Sequence, residues 1–164
     1  MNNIDLDKRR DEIIEEIKRV FSVKPRPKEL VHKHFRKNWE GQHLIELFEG
    51  KSWTDFIDNY SFVYKFSNID SIGVMTEKAY TYFLPAFLIQ TTLQPNDEVS
   101  QNTFIEIKSL ASKFDVDQIQ ALIVYFTHQE QYWRVESFDT TFVQKIDDIL
   151  LRLLFLLDEK KPKS

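Results

Sequence analysis

The sequence predicts an all-α fold, and three observations lead to that prediction. Apolar residues recur at spacings of three and four in several segments, as on one face of an α-helix. Typical helix-capping residues stand before several of these segments. With 42% apolar and 29% charged residues in a chain of 164, the composition is that of a globular protein that can bury a core. No internal repeat or low-complexity linker divides the chain. We therefore predict a single domain, residues 1–164, with six to eight helices around a central kinked helix.

The first helix is predicted from five apolar residues that form one stripe: Ile13, Ile14, Ile17, Val20 and Phe21. Asn3 or Asp5 is expected to cap it, and Pro25 and Pro27 to end it. Pro27 suits the first turn of a short second helix. The apolar face predicted for that second helix carries four residues: Leu30, Val31, His34 and Phe35.

A third helix is predicted around residues 44–48, ending at Gly50, because glycine is common just after a helix C-terminus. The segment Ser52-Trp53-Thr54-Asp55 is typical of a helix N-terminus. Residues 61–74 are ambiguous, since alternating aromatic residues fit a short strand and a helix end equally well. A minor pair of short strands is therefore left open beside the helices.

The clearest element is a helix from Glu77 to about Gln90, capped by Thr76. Its apolar residues cover nearly the whole circumference, which predicts a buried, central helix. Pro85 lies inside it and cannot donate a hydrogen bond to the Thr81 carbonyl, so we expect a kink there.

Three more helices are predicted in the second half of the chain. One carries the apolar stripe Phe104, Ile107, Leu110, Ala111 and Phe114. Asp115 and Gln118 resemble a capping box for the next. Asp139 opens the last helix, whose stripe comprises six residues: Phe142, Ile146, Ile149, Leu150, Leu153 and Leu157. Its leucine-rich end is too short to span a membrane. It is expected to be a core helix or, second, a helix that packs against a partner subunit.

Composition excludes several kinds of chemistry. The chain has no cysteine, which removes disulfides, thiol catalysis and cysteine-based zinc sites. Its three separated glycines cannot form a phosphate-binding loop or a dinucleotide fingerprint. His43 and Glu46 have a spacing used in carboxylate-bridged metal helices, but the motif occurs once. We therefore predict no catalytic residue, cofactor or metal, although carboxylate pairs leave an acid–base site open. The N-terminus lacks the layout of a secretory signal, so a cytoplasmic location is expected.

Charge is unevenly distributed along the chain. Residues 18–37 contain eight basic residues and one acidic residue, a net charge of +7, whereas the whole chain has a net charge of −4. Basic residues interleaved with His32, His34, Phe35 and Trp39 are typical of surfaces that track a phosphate backbone. Nucleic acid is nevertheless predicted to be an improbable partner, because the rest of the protein is acidic.

Aromatic residues are unusually frequent, at 14% of the chain. Most are expected in the core. Tyrosine and tryptophan beyond the need of a core are enriched at protein interfaces. Tyr132 and Trp133, next to Arg134 and following a helix, are the best candidate for an interface hot spot.

One segment resembles a known family. The residues from Met75 to Leu88, with Tyr82-Phe83-Leu84-Pro85-Ala86 at their centre, follow Gly50-Lys51-Ser52-Trp53. They resemble a family of short bacterial proteins with a domain of unknown function and the pattern T-P-E-x-aromatic-x-Y-aromatic-L-P-A-aromatic. The resemblance covers about residues 39–133. Here no proline follows Thr76, and His43 and Glu46 stand where members often have a cysteine- and histidine-containing stretch.

The resemblance implies no established activity, but small, acidic, aromatic-rich bacterial proteins of this kind are similar to immunity proteins, which neutralise a toxin by binding it. The resulting hypothesis is a non-enzymatic protein-binding domain, immunity- or antitoxin-like. An acidic face would meet a basic partner; its proposed residues are Asp55, Asp58, Asp115 and Asp117. The alternatives are an enzyme or small-ligand-binding protein with an aromatic pocket near Pro85, lined by Tyr80, Tyr82 and the aromatic residues of 53–66, and nucleic-acid binding through residues 18–37.

Overall fold

The computed structural model describes residues 3–21, 25–57, 72–95, 97–136 and 140–161. Six α-helices lie in these ranges: α1 (Asn3–Val20), α2 (Trp39–Phe48), α3 (Glu77–Leu93), α4 (Asp97–Leu110), α5 (Val116–Glu136) and α6 (Thr140–Lys160). Short 3-10 helices occur at Lys33–Phe35, Trp53–Phe56, Ile72–Val74 and Ala111–Lys113. Extended pairing in the described ranges is limited to one antiparallel bridge between Val31 and Met75. The all-α prediction is confirmed.

The chain folds into two compact units. The terminal unit comprises residues 1–21 and 104–164, and the middle unit comprises residues 22–103. The two ends of the chain therefore belong to one unit, and the segment between them builds the other.

The middle unit is built on α3. Almost the whole circumference of α3 is buried, as its sequence predicts, and Thr76 caps it by accepting a hydrogen bond from the Ala79 N–H at 3.2 Å. The helix runs through Pro85, which is buried. Near its C-terminal end, the Gln90 side-chain amide donates to the Ile57 carbonyl at 2.8 Å and also to the Phe56 carbonyl. Those bonds hold α3 against the segment that follows α2.

An aromatic cluster fills the space between α2, α3 and the 3-10 helix at Trp53–Phe56. The Phe48 ring lies 5.2 Å from that of Phe56, 4.6 Å from that of Phe83 and 6.1 Å from that of Phe87. The pairs are tilted or edge-to-face, the arrangements that aromatic quadrupoles favour. Together they form the centre of the middle unit.

The predicted end of α2 at Gly50 and the predicted helix N-terminus at Ser52 are confirmed. Gly50 has a φ of 73°, the left-handed conformation that ends a helix at low cost for glycine. Ser52 and Asp55 form a capping box, in which the Ser52 N–H donates to the Asp55 carboxylate at 2.7 Å. The box opens a 3-10 helix. Residues 58–71, with Asp58 and most of the ambiguous 61–74 segment, lie outside the described residues.

The short second helix predicted from Pro27 is wrong. Residues 29–32 pair instead with residues 74–76: the His32 N–H donates to the Val74 carbonyl at 3.1 Å, and the Thr76 N–H donates to the Leu30 carbonyl at 2.9 Å. Val31 is buried through this pairing. A contact with a segment more than forty residues away thus overrides the local helical spacing, and only a 3-10 turn at Lys33–Phe35 remains.

In the terminal unit, α5 and α6 form an antiparallel pair. At one end the Trp133 and Phe142 rings are 5.2 Å apart, and at the other the Lys160 ammonium donates to the Phe114 carbonyl at 2.8 Å. Phe104 lies 4.8 Å from Phe126 and stacks on Phe142 at 5.7 Å. These rings form the core of the unit.

The predicted capping box of α5 and the predicted stripes of α1 and α6 are found with small changes. The Asp115 N–H donates to the Gln118 side chain at 3.1 Å, and the Gln118 N–H donates to the Asp115 carboxylate at 2.8 Å. The α1 stripe is buried except for half-buried Val20. In α6, Leu150 and Leu157 are only half-buried, and neighbouring Val143 and Leu156 are buried. Asp139 lies outside the described residues.

His128 on α5 predicts a pH dependence of stability. Burial, together with the positive charges of Arg9 and Arg10, lowers the pKa of His128 below its ordinary value of 6.5. Above pH 6.5 the imidazole is neutral in the folded and unfolded states alike. Below it the unfolded chain takes up the proton first, so the free energy of unfolding falls as the pH drops.

We therefore expect the loss of stability between pH 7 and pH 5.5 to be smaller in His128→Gln than in the wild type. Urea titrations at several pH values measure this loss of stability. The exposed His34→Gln is the control and should retain the wild-type slope. Identical slopes for wild type and His128→Gln would contradict the prediction.

Candidate protein-interaction surface

Large apolar side chains are exposed mainly on one helix pair. Seven such side chains are exposed among the described residues, and six of them belong to α5 and α6. We call these six the α5–α6 surface: Val124, Tyr132, Val135, Leu151, Leu154 and Phe155. The seventh is Trp39, in the middle unit. Scattered single exposures are normal, but a concentration on two paired helices is typical of an interaction site.

The leucine-rich end of α6 explains the most apolar part of this surface. Ile149, Leu153 and Leu156 point into the core at helical spacing. On the other sides of the same turns, Leu151 is 66% exposed, Leu154 50% and Phe155 56%. Between Leu151 and Phe155 the helix therefore carries apolar side chains on its solvent side as well as on its core side.

Arg152 lies between these exposed residues. Its guanidinium carbon is 5.9 Å from the centre of the Phe155 ring, within reach of a cation–π contact. The contact holds a cationic group beside an exposed aromatic ring. Arginine and aromatic side chains together are the residue types enriched in binding hot spots.

The predicted hot spot at Tyr132 and Trp133 divides into two parts. Trp133 is half-buried: its indole N–H donates to the Gln129 side chain at 3.1 Å, and its ring packs edge-on against Phe142. Tyr132 is 36% exposed and meets the Trp133 ring at 5.0 Å. Burial and the nearby charge of Glu136 raise the pKa of the Tyr132 phenol, so its hydroxyl stays protonated. Tyr132 can therefore contact a partner, and its ring is held in position by Trp133.

Arg134 supplies the polar edge of the α5–α6 surface. It pairs with Glu130 on α5 and with Asp147 on α6, the latter at 3.0 Å. All three side chains are partly open to solvent, so water screens these pairs and they add little to stability. Their main effect is to fix the orientation of the arginine beside exposed apolar residues.

The acidic residues predicted to meet a basic partner have local structural roles in two cases. Asp55 completes the capping box with Ser52, and Asp115 completes the one with Gln118. Both remain exposed, as does Asp117. Asp55 belongs to the middle unit, and Asp115 and Asp117 to the terminal unit. Their role in partner binding stays a prediction.

Of the pocket residues proposed near Pro85, those that the structure describes pack inside the middle unit, and the aromatic residues from 60 to 66 lie outside the described residues. Tyr80 and Tyr82 are buried, and both hydroxyls have partners: Tyr80 donates to the Thr103 carbonyl at 2.6 Å and Tyr82 to the Ser52 hydroxyl at 3.3 Å. Trp53, Phe56 and Phe83 are buried as well. These side chains are used by the core.

Among the residues that the structure describes, no three histidine, aspartate or glutamate side chains lie close enough to hold a metal ion. None of the described helices is long and apolar enough to cross a membrane.

Comparison with known proteins gives no relative. No protein-family model, curated protein or solved structure matches the chain. The function must therefore be argued from the surface.

Sequence reasoning missed Leu151, Leu154 and Phe155 as surface residues. The signal was present: the run from Ile149 to Leu157 holds more apolar residues than one helix face can bury. The predicted apolar stripe of this helix already leaves these three residues off the core side, but the run alone does not show whether another element covers them.

Proposed function

We propose that this protein is a non-enzymatic protein-binding domain that docks a protein partner on the α5–α6 surface. The observation that carries the proposal is the concentration of six of the seven exposed large apolar side chains on that helix pair. A bacterial immunity or antitoxin-like role is the specific form we propose, in line with the sequence resemblance. In that form the partner is a toxin, neutralised by direct binding.

The size of the available energy supports binding at this surface. Fully burying one leucine or phenylalanine side chain contributes about 1.5–3 kcal/mol. Leu151, Leu154 and Phe155 together would then provide several kcal/mol if a partner covered them. Their helix is already packed through its other face, so little conformational entropy is lost when the partner docks.

The test is capture of a partner from cells of the source organism, using wild-type protein and the double variant Leu151→Glu/Phe155→Glu. We expect the wild type to retain a stoichiometric protein partner and the double variant to lose it, because two buried carboxylates would oppose docking. Gln94→Glu, at an exposed position of the middle unit, is the control and should retain the partner.

Two results would count against the proposal: no stoichiometric partner on the wild type, or equal capture by the double variant. Sedimentation of the purified protein separates a second copy of the chain from a different partner. The immunity form makes a further demand, namely that the captured protein inhibits growth and that co-expression of this chain restores it.

A further inference from the structure

A second exposed surface lies in the middle unit, and the proposed protein-binding function does not use it. Trp39, the first residue of α2, is 69% exposed. Its indole stacks on the His43 ring at 5.5 Å between ring centres, with only 6° between the two planes. The His43 ring therefore stacks against one face of the indole. We call this pair the Trp39–His43 platform.

Two more exposed rings precede the platform. His32 and His34 stack at 5.8 Å with 18° between their planes, and His34 lies 4.3 Å from Phe35. Both histidines are exposed. Aromatic side chains that are open to solvent are groups on which nucleic-acid bases stack.

Basic residues alternate with these rings along the chain. Lys33, Arg36 and Lys37 are exposed in the turn between the histidines and Trp39. Arg36 pairs with Glu29 at 3.1 Å, whereas Lys33 and Lys37 have no acidic partner within 4.0 Å among the described residues. Two ammonium groups are therefore free to meet phosphates beside the rings.

The middle unit also has a groove of about 720 Å³. Its charged lining comprises three basic residues, Arg26, Lys28 and Lys78, and two acidic ones, Glu29 and Glu77, of which Glu29 pairs with Arg36. The Arg36–Glu29 ion pair thus connects the turn before the platform with the groove.

The predicted basic segment 18–37 is divided by the fold. Lys18 and Arg19 lie on α1 in the terminal unit, where they pair with Glu15 and Glu16 at 2.8 Å and 2.6 Å. Those two cations are occupied locally. The remaining basic residues from 26 onward lie in the middle unit with the exposed rings.

From these observations we propose that the middle unit binds single-stranded nucleic acid, with a base stacked on the open face of Trp39 and phosphates held by Lys33 and Lys37. Stacking accounts for the exposed tryptophan, and the backbone contacts account for the unpaired lysines. An acidic peptide would use the same cations but has no flat ring for the indole. Duplexes hide the faces of their bases and should bind more weakly.

The experiment measures binding of fluorescein-labelled 12-nucleotide adenine strands, as RNA and as DNA, at 50 mM salt. Trp39→Ala should weaken binding about ten- to hundredfold, as expected for loss of one stacked base. Phe155→Ala, which removes an exposed ring of the terminal unit, is the matched control and should bind like the wild type. Comparison of the RNA and DNA affinities shows which of the two sugars the surface prefers.

Salt dependence tests the phosphate contacts separately. Each phosphate contact on a single strand contributes about −0.7 to the slope of log affinity against log salt. Lys33→Gln/Lys37→Gln should therefore reduce the steepness of this slope by about 1.4. Quenching of tryptophan fluorescence by the strand should be lost in Trp39→Phe, since Trp53 is buried and Trp133 half-buried.

Three results would overturn the proposal: no strand binding by the wild type, equal affinity of wild type and Trp39→Ala, or equal affinity for poly-glutamate of matched charge. Because the mutated residues are exposed, each variant should fold, and far-UV circular dichroism checks this. The test is independent of the α5–α6 surface, so partner capture by Trp39→Ala should remain unchanged.

Discussion

Phe48→Ala is expected to reduce the free energy of unfolding by about 3–5 kcal/mol, the range for removal of a fully buried phenylalanine. The ring is 1% exposed and contacts Phe56, Phe83 and Phe87. Truncation removes its transfer free energy and leaves a cavity bordered by three rigid rings. Such rings cannot easily collapse into the space. Denaturant titration followed by circular dichroism and tryptophan fluorescence measures the loss.

Phe155→Ala is the matched control, because it makes the same chemical change on an exposed ring. It should alter stability by no more than about 0.5 kcal/mol. A Phe48→Ala protein within about 1 kcal/mol of the wild type would show that the aromatic cluster is not the stabilising centre of the middle unit.

Gly41→Ala is expected to destabilise the protein by about 2 kcal/mol net, the cost of overpacking less the helix propensity gained by alanine. A Cβ atom at this position would overlap the Phe35 carbonyl oxygen and lie 2.7 Å from its carbon. That carbonyl already accepts a hydrogen bond from the Asn38 N–H at 3.0 Å. The backbone of the turn must therefore move away from α2.

Two other glycines serve as controls in the same denaturant titrations. Gly73→Ala adds a Cβ with nothing within 4 Å and should be neutral or slightly stabilising. Gly50→Ala forces alanine into a left-handed φ and should cost about 1–2 kcal/mol. A Gly41→Ala protein as stable as Gly73→Ala would mean that the close approach of α2 to the turn carries no energetic constraint.

The effect of Gly41→Ala should also reach the Trp39–His43 platform. The turn that must shift carries Lys33 and Arg36 and leads directly into Trp39. The affinity for single-stranded nucleic acid should fall in Gly41→Ala, although this substitution changes none of the side chains proposed to contact the nucleic acid. A shift of the turn therefore links stability and binding.

Local sequence signals predicted the helices well where both the capping group and its partner are close in sequence. Thr76 caps α3, the Asp115–Gln118 pair caps α5, and Gly50 ends α2, all as expected from residues within four positions. The circumferential apolar pattern of α3 likewise predicted its burial. These features depend on hydrogen bonds between residues close in sequence and on the periodicity of apolar residues, and both are contained within one short segment.

The failures involve contacts with distant residues. Leu30, Val31, His34 and Phe35 have helical spacing, yet backbone pairing with residues 74–76 holds residues 29–32 extended. The energy of that pairing comes from a segment the local pattern does not include. Sequence spacing therefore cannot decide between the two conformations.

The candidate surfaces were also predicted only in part. Local sequence placed Tyr132 and Trp133 at a surface and basic residues beside aromatic ones, because composition and neighbouring residues are enough to predict these features. It could not separate anchored Trp133 from open Tyr132, or Arg19, which pairs with Glu16, from Lys33, which has no acidic partner among the described residues.

The all-α fold, the buried α3 and the helix caps were thus determined by the sequence itself, through periodicity and hydrogen bonds between near neighbours. The open faces of α6 and Trp39 were decided only in the tertiary structure. The physical reason is that exposure is what remains after packing: Leu156 and Leu157 are chemically identical, and helical spacing assigned Leu157 to the core stripe, yet packing against α5 buries Leu156 and leaves Leu157 half-buried.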